Sequence, residues 1–183
     1  MKRHILIAAT ALFLIISSAS AFASPAYDHS LGDETMSFQW RLDEGKNLIY
    51  VKLTGKTDSW VSVGFNPIRR MKGANFVMGY VKNGKVKATD HFGADIFMHK
   101  KDTALGGTDN VSELSGKEEG GATEISFAIP LNSGDSKDSV IQPDKETTIL
   151  LAHASGRDTF RSKHVYRAVY AVTLSTGAFK KIK

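Results

Sequence analysis

Residues 36–54, with the sequence MSFQWRLDEGKNLIYVKLT, indicate the fold class most clearly. Apolar side chains stand at every second position over 36–42 and again over 49–53, which is the period of a half-buried strand. Between them, residues 44–47 (EGKN) are typical of a turn. The stretch therefore predicts an antiparallel β-hairpin.

Segments of the same kind recur along the chain. The further predicted strands cover residues 60–65, 75–82, 85–92, 95–99, 123–129, 147–154 and 165–174. Beyond the N-terminal segment, no stretch of 12 or more residues carries a helical apolar stripe. Many short strands separated by turns predict an all-β sandwich or barrel of roughly ten strands. The polar, glycine-containing stretch 100–121 is predicted to be a long loop over one end of the sheet.

The composition excludes several classes of site. The chain has 183 residues and no cysteine, which excludes disulfides, thiolate metal sites, iron–sulfur clusters and covalently attached c-type haem. The formal net charge is +5, but the basic residues are scattered, so we expect no nucleic-acid partner. The sequence contains no G-x-S-x-G, H-E-x-x-H or phosphate-binding glycine loop.

The N-terminus has the layout of a secretory signal peptide. Lys2 and Arg3 precede an apolar core over residues 5–16, and Ala21-Phe22-Ala23 is a cleavage site of the A-x-A type. The apolar core is shorter than the roughly 20 residues that a membrane span needs. We therefore expect residues 1–23 to be a cleaved signal peptide and 24–183 to be one domain. The mature protein would be periplasmic or extracellular, with no membrane span.

Two residues have unusual surroundings. Met71 lies in a basic, turn-rich loop rather than in an apolar segment, and its thioether is a soft neutral ligand that suits iron or copper. His164 opens the last long predicted strand, on the face that carries Tyr166 and Tyr170. Each is a candidate metal ligand.

Other histidines and carboxylates offer a different metal site. Asp90, His91, Asp95 and His99 lie within ten residues of one another and carry oxygen and imidazole ligands. His153 lies inside an apolar predicted strand, where a core position and a ligand position are both open.

The order of several motifs resembles the DOMON domain family. They are W60-V-S-V-G-F-N-P, then M71-K-G-A-N-F-V-M-G-Y-V, N83-G-K-V, E124-I-S-F-A-I-P-L, D138-S-V-I and I149-L-L-A-H-A-S-G, with His164 shortly after. The resemblance spans about residues 36–174. It implies an immunoglobulin-like β-sandwich. Cytochrome-type members, such as the haem domain of cellobiose dehydrogenase, hold haem b between a Met and a His, and Met71 and His164 occupy the corresponding places.

This resemblance implies an exported b-type cytochrome that binds one non-covalent haem b per chain. A Met/His pair fills both axial positions of the iron, so it implies one-electron transfer to a redox partner rather than an enzyme. We expect the two ligands to come from loops at the same end of the sandwich. The expected apolar lining of the haem is Phe65, Phe76, Met78, Tyr166 and Tyr170. The expected partners of its propionates include Arg69 and Arg161, among the basic residues that flank both loops.

Alternatives remain at this point. Some relatives replace the axial His with Lys, which makes Lys163 a second candidate, and His153 is a competing ligand or a neighbour of one. The family also contains members thought to bind sugars, so a haem-free module that stacks a sugar on an exposed Trp40 or Trp60 is the main alternative. A metal-dependent enzyme using His91, Asp95 and His99, or a structural adaptor, is the third. For the cytochrome, the basic rim predicts a partner with an acidic docking face, in solution or membrane-bound.

Overall fold

A computed structural model describes residues 26–183, so the predicted signal peptide lies outside the described residues. Twelve strands are present in this range. In chain order they are β1 (His29–Gly32), β2 (Met36–Asp43), β3 (Leu48–Gly55), β4 (Val61–Phe65), β5 (Asn75–Lys82), β6 (Lys85–Asp95), β7 (Met98–Lys101), β8 (Ser112–Glu119), β9 (Ala122–Pro130), β10 (Glu146–His153), β11 (Tyr166–Thr173) and β12 (Ala178–Lys181).

The strands form two antiparallel sheets that pack face to face. The five-stranded sheet has the order β1-β2-β3-β9-β8, and the seven-stranded sheet has the order β12-β11-β10-β4-β5-β6-β7. Short 3-10 turns lie at Glu44–Lys46 and Asp102–Leu105. Over residues 26–183, no helix has the length and apolar character needed to cross a membrane. The predicted all-β sandwich is confirmed, with two more strands than expected.

The alternation in β2 builds the core between the sheets. Met36, Phe38 and Trp40 are buried on the face that meets the other sheet. The Phe38 and Trp40 rings stack at 5.0 Å, and the Trp40 indole N–H donates to the Leu174 carbonyl at 2.9 Å. The tryptophan thus joins the two sheets by packing and by a buried hydrogen bond.

The edges of both sheets differ from the prediction. The stretch 100–121 is not one loop, because it contains the 3-10 turn Asp102–Leu105 and the whole of β8. The strand predicted over 95–99 is shifted to Met98–Lys101. The short strands β1 and β12 were not predicted.

The centre of the seven-stranded sheet defines the frame of the candidate site. In β4, Phe65 pairs with Asn75 of β5, and Val61, at the other end of β4, pairs with Gly79 of β5 and His153 of β10. His153 in turn pairs with Tyr166, the first residue of β11. β4 has five residues and spans about 13 Å.

Candidate functional site

The seven-stranded sheet carries apolar and aromatic side chains on the face turned away from the five-stranded sheet, here called the outer face. Strand alternation directs Val77 and Val81 of β5 into the core between the sheets, and leaves Phe76 and Met78 on the outer face. Both outer side chains are nevertheless buried. An exposed sheet face would leave them in solvent, so other segments must cover this one.

Gly64 shapes the floor of the outer face. It lies on β4 beside Phe76, and a Cβ atom built on Gly64 would lie 2.4 Å from the Phe76 ring. No residue with a side chain fits there without moving that ring. Glycine therefore allows the aromatic ring to lie directly over the β4 backbone.

The segment that joins β10 to β11, here called the 154–165 connector, covers part of the outer face. The Trp60 indole N–H donates to the Ser162 carbonyl at 3.2 Å, and the Val165 N–H donates to the His153 carbonyl at 2.9 Å. The Phe160 ring lies 4.9 Å from Tyr80. The connector is thus anchored by Trp60, the residue before β4, and by the end of β10, and it reaches across to β5.

Residues 66–74, here called the Met71 loop, join β4 to β5 and are held by backbone hydrogen bonds. The Gly73 N–H donates to the Gly93 carbonyl at 2.8 Å, and the Gly93 N–H donates to the Ala74 carbonyl at 2.8 Å. A Cβ on Gly93 would collide with the Met71 carbonyl. Met71 itself is half-buried. The loop is therefore fixed against the backbone of β6.

His164 lies at the end of the 154–165 connector, two residues before β11, and is exposed. Partial desolvation lowers the pKa of its imidazole, and Arg167 and Lys163 lower it further. The neutral ring, which is the form that binds metals, is therefore favoured at neutral pH.

Met71 and His164 lie beyond opposite ends of β4. The Met71 loop follows Phe65, whereas His164 precedes the β11 end that pairs through His153 with Val61. The expectation that both come from the same end of the sandwich is therefore wrong. Sequence reasoning treated the two loops as neighbours, but the antiparallel register places them on either side of a short strand.

The other residues predicted to line a haem divide between the two faces. Phe76 and Met78 lie on the outer face, whereas Phe65 is fully buried in the core between the sheets. Tyr166 also faces inward, where its ring stacks on His153 at 5.1 Å and its hydroxyl donates to Asp33 at 2.8 Å. Neither Phe65 nor Tyr166 lies on the outer face. Tyr170 shares their inward direction, in the core cluster.

The remaining candidate ligands are placed as follows. His153 is buried on the inner side, with its Nδ1 atom 2.9 Å from the Ala154 carbonyl, so it is not a neighbour of the outer face. Lys163 is exposed beside His164. Arg69 and Arg161 are exposed on the Met71 loop and the 154–165 connector, respectively.

The structure brings His91 and His99 together on the outer face. Their Nδ1 atoms are 3.0 Å apart, and His99 packs against Phe76 at 5.7 Å. Burial lowers the pKa of His91 to about 4, helped by His99 and Lys101, and burial also lowers the pKa of His99. One neutral ring therefore donates to the other. Asp95 is the exposed last residue of β6 and accepts from the N–H of its own neighbour Ile96, so the predicted three-residue metal set does not assemble around this pair.

The predicted sugar-stacking surface is wrong. Trp40 is fully buried between the sheets, and Trp60 is buried beneath the 154–165 connector. Neither indole is available to a ligand in solvent.

A family model for the DOMON domain matches residues 32–154. The chain belongs to the DOMON domain family. The matched region contains β4, the Met71 loop and the whole outer face of β5 and β6, and it ends ten residues before His164. No curated protein matches this DOMON chain.

Two solved cytochrome domains share the fold. The cytochrome b domain of pyranose dehydrogenase from Coprinopsis cinerea superposes with a TM-score of 0.57 at 10% identity, over 78% of each chain. The cytochrome domain of Myriococcum thermophilum cellobiose dehydrogenase gives a TM-score of 0.58 at 10% identity, over 81% of this chain and 82% of that one. At this identity the likeness establishes a common fold.

Proposed function

We propose that this DOMON domain is an exported b-type cytochrome that holds one haem b between Met71 and His164 and passes single electrons to or from a redox partner. The observation that carries the proposal is the placement of these two residues beyond opposite ends of β4, with the aromatic outer face between them. A haem held by these two residues would take one ligand from each loop. Loops at the two ends of one short strand are suited to this.

The chemistry of the donor set fits an iron porphyrin. The Met71 thioether carries no proton at any pH, and the neutral form of His164 is favoured at neutral pH. Neither ligand has to lose a proton before it binds iron. The loops that carry them are anchored to the sheet by backbone hydrogen bonds, which limits the movement of both ligands.

The outer face supplies the apolar contacts that a macrocycle needs. Gly64 leaves the β4 backbone without a side chain, and Phe76 and Met78 provide a buried apolar floor. Phe160 extends this surface from the connector side. Arg69 and Arg161 are exposed at the rim, where guanidinium groups can form charge-assisted hydrogen bonds with propionates.

The ligand pair determines the type of function. Haem b supplies a one-electron iron couple when bound. Met71 and His164 would be the two protein ligands of the haem, and this pair supports electron transfer as the role. The exposed basic residues of both loops are suited to a partner with an acidic docking face. The signal peptide predicted at residues 1–23 supports an exchange outside the cytoplasm.

The test is a haem titration of the purified chain, followed by visible spectra of the oxidised and reduced forms. We expect saturation at one haem per chain and a sharp reduced α-band. Met71→Ala and His164→Ala should each lose that band, because each leaves the iron with one protein ligand.

Two matched variants serve as controls. Met98→Ala removes an exposed methionine of β7, and His29→Ala removes a histidine of β1 in the other sheet, so both should keep the wild-type spectrum. An unchanged α-band in Met71→Ala and His164→Ala would overturn the ligand assignment, and its loss in His91→Ala would transfer the assignment to the His91–His99 pair. A chain that remains colourless with excess haem would overturn the proposal itself.

A further inference from the structure

Three carboxylates from separate segments converge beside β6. They belong to Asp90 on β6, Asp102 in the 3-10 turn after β7, and Asp138 in the connection between β9 and β10. One oxygen from each lies within 4.8 Å of the others. Asp90 points to the inner side of the sheet, since it pairs with the core residue Val77, and is therefore on the opposite face from His91.

Asp90 and Asp102 are buried, Asp138 is partly buried, and all three carboxylates are incompletely hydrogen-bonded. Asp102 is 0% exposed, and neither of its carboxylate oxygens has a hydrogen-bond partner. Asp90 is 1% exposed, and its Oδ1 atom has no partner, while its Oδ2 atom accepts from the Asn110 N–H at 3.2 Å. The Oδ1 atom of Asp138 is also without a partner. A buried carboxylate that lacks donors is costly, so the wholly unpartnered Asp102 beside two incompletely bonded carboxylates needs an explanation.

The surroundings supply little compensating positive charge. Desolvation and the neighbouring acidic groups raise the pKa of Asp90 to about 8 and that of Asp102 to about 7. Lys137 acts in the other direction on Asp102, but no lysine or arginine forms an ion pair with any of the three among residues 26–183. The polar contacts to Asp138 come from the Ser133 hydroxyl and from the Asn110 amide nitrogen, at 3.0 Å, in the orientation that satisfies its neighbours.

We propose that Asp90, Asp102 and Asp138 form a binding site for a hard divalent cation, with Ca²⁺ as the fitting ion. The three carboxylates carry four oxygens without partners, and one oxygen from each residue lies within 4.8 Å of the others. Ca²⁺ takes six to eight oxygen ligands in flexible geometry, with water completing the shell. The site offers neither sulfur nor imidazole, so zinc and copper are disfavoured. Mg²⁺ requires near-ideal octahedral coordination and loses its water ligands reluctantly. A buried, irregular cluster therefore suits Mg²⁺ less well than Ca²⁺.

The site would have a structural role at the point where the chain crosses between the sheets. The segment with Asp102 leads from β7 of one sheet to β8 of the other, and the segment with Asp138 leads from β9 to β10. A cation bound by both and by Asp90 would fasten these two crossings to β6. Ca²⁺ binding should therefore stabilise the folded chain, independently of any haem.

The test is a Ca²⁺ titration of the full chain after EDTA treatment and dialysis at pH 7.5, followed by calorimetry and by the melting temperature. We expect one ion per chain and a rise in Tm of roughly 5 °C or more at about a hundred times Kd. Asp102→Asn and Asp138→Asn should each abolish both signals and raise the Tm of the Ca²⁺-free chain, because each removes a repelling carboxylate. The exposed Asp144→Asn should behave as wild type.

Two results would overturn the site. The first is the absence of both binding heat and a Tm rise at Ca²⁺ concentrations up to about 10 mM, a range that includes weak extracellular calcium sites. The cluster would then not be a cation site. The second is an unchanged Ca²⁺ response in both Asp102→Asn and Asp138→Asn, which would place the ion elsewhere.

Discussion

Gly64 shows how one residue without a side chain shapes the candidate site. Its neighbour Phe76 occupies the space that a Cβ atom would fill, at 2.4 Å. The alternation of side chains in β4 predicts which of them face the core. Val61, Val63 and Phe65 share the inner face, and Gly64 lies on the outer face. This alternation assigns Phe65 to the core. The expectation that Phe65 lines a haem rested only on its being an aromatic residue close to Met71 in the sequence.

Gly64→Ala should displace the Phe76 ring and destabilise the fold by about 1–3 kcal/mol, the range for overpacking a buried site. It should also weaken haem binding, because the floor of the outer face changes shape. Urea unfolding and a haem titration measure the two effects. Gly45→Ala is the control, since its Cβ would approach nothing closer than 3.7 Å. Equal stabilities of Gly64→Ala and wild type would show that Phe76 is not confined as described.

At the scale of elements, interior strands were predictable and edge strands were not. β2, β3, β4, β5 and β10 bury one face or both, so their apolar residues follow the strand period. The missed or misplaced strands β1, β7, β8 and β12 are the four sheet edges. β8, with the sequence SELSGKEE, buries no side chain completely and so gives no periodic signal. Its pairing with β9 depends on backbone hydrogen bonds that no local pattern reveals.

The 154–165 connector acts on the outer face mainly through Phe160, which packs against Tyr80 and His91. Phe160→Ala should cost about 2 kcal/mol, because the ring is only partly buried. It should also speed haem dissociation, since the connector loses its contact with β5. Chemical unfolding and haem transfer to an acceptor protein report these changes.

Phe179→Ala is the matched control for that experiment. Phe179 is an exposed aromatic on the edge strand β12, far along the sheet from β5. A haem dissociation rate that rises equally in both variants would mean that Phe160 has no specific role over the outer face.

At the scale of the whole molecule, the sites depend on contacts between distant segments. Asp90, Asp102 and Asp138 carry no common motif, and only the packing of the two sheets brings them together. Met71 and His164 stay a prediction from the family pattern, and their placement at opposite ends of β4 follows from strand register, which the sequence does not specify. The sandwich was predictable because its interior strands repeat one simple pattern.

Asp33 links the two sheets by an ion pair with Lys181 and a hydrogen bond from Tyr166, and the stability that this link contributes should depend on pH. It lies between β1 and β2 and accepts from Lys181 and from the Tyr166 hydroxyl, each at 2.8 Å. Burial raises the pKa of Asp33, but these bonds and the Thr35 and Met36 N–H groups outweigh it, so the pKa is held well below its usual range. The unfolded chain therefore takes up this proton first as the pH falls.

Asp33→Asn should cost about 1 kcal/mol at pH 7, the scale of a partly exposed ion pair with added hydrogen bonds. The difference from wild type should shrink as the pH falls below about 4, because the stabilising charge is lost in that range. Urea unfolding at pH 7 and pH 3 measures it, with the adjacent exposed Glu34→Gln as control. A difference that is constant across this range would contradict the charge-based link.

The central claim, that Met71 supplies one axial ligand to a haem, is tested most directly by the reduction potential of Met71→His. A second imidazole should keep the haem bound, but it stabilises ferrous iron less than the neutral thioether does, so the midpoint potential should fall relative to wild type. Met98→His, at an exposed methionine of β7, should leave the potential unchanged. The same midpoint potential in Met71→His and wild type, with haem bound in both, would contradict the account.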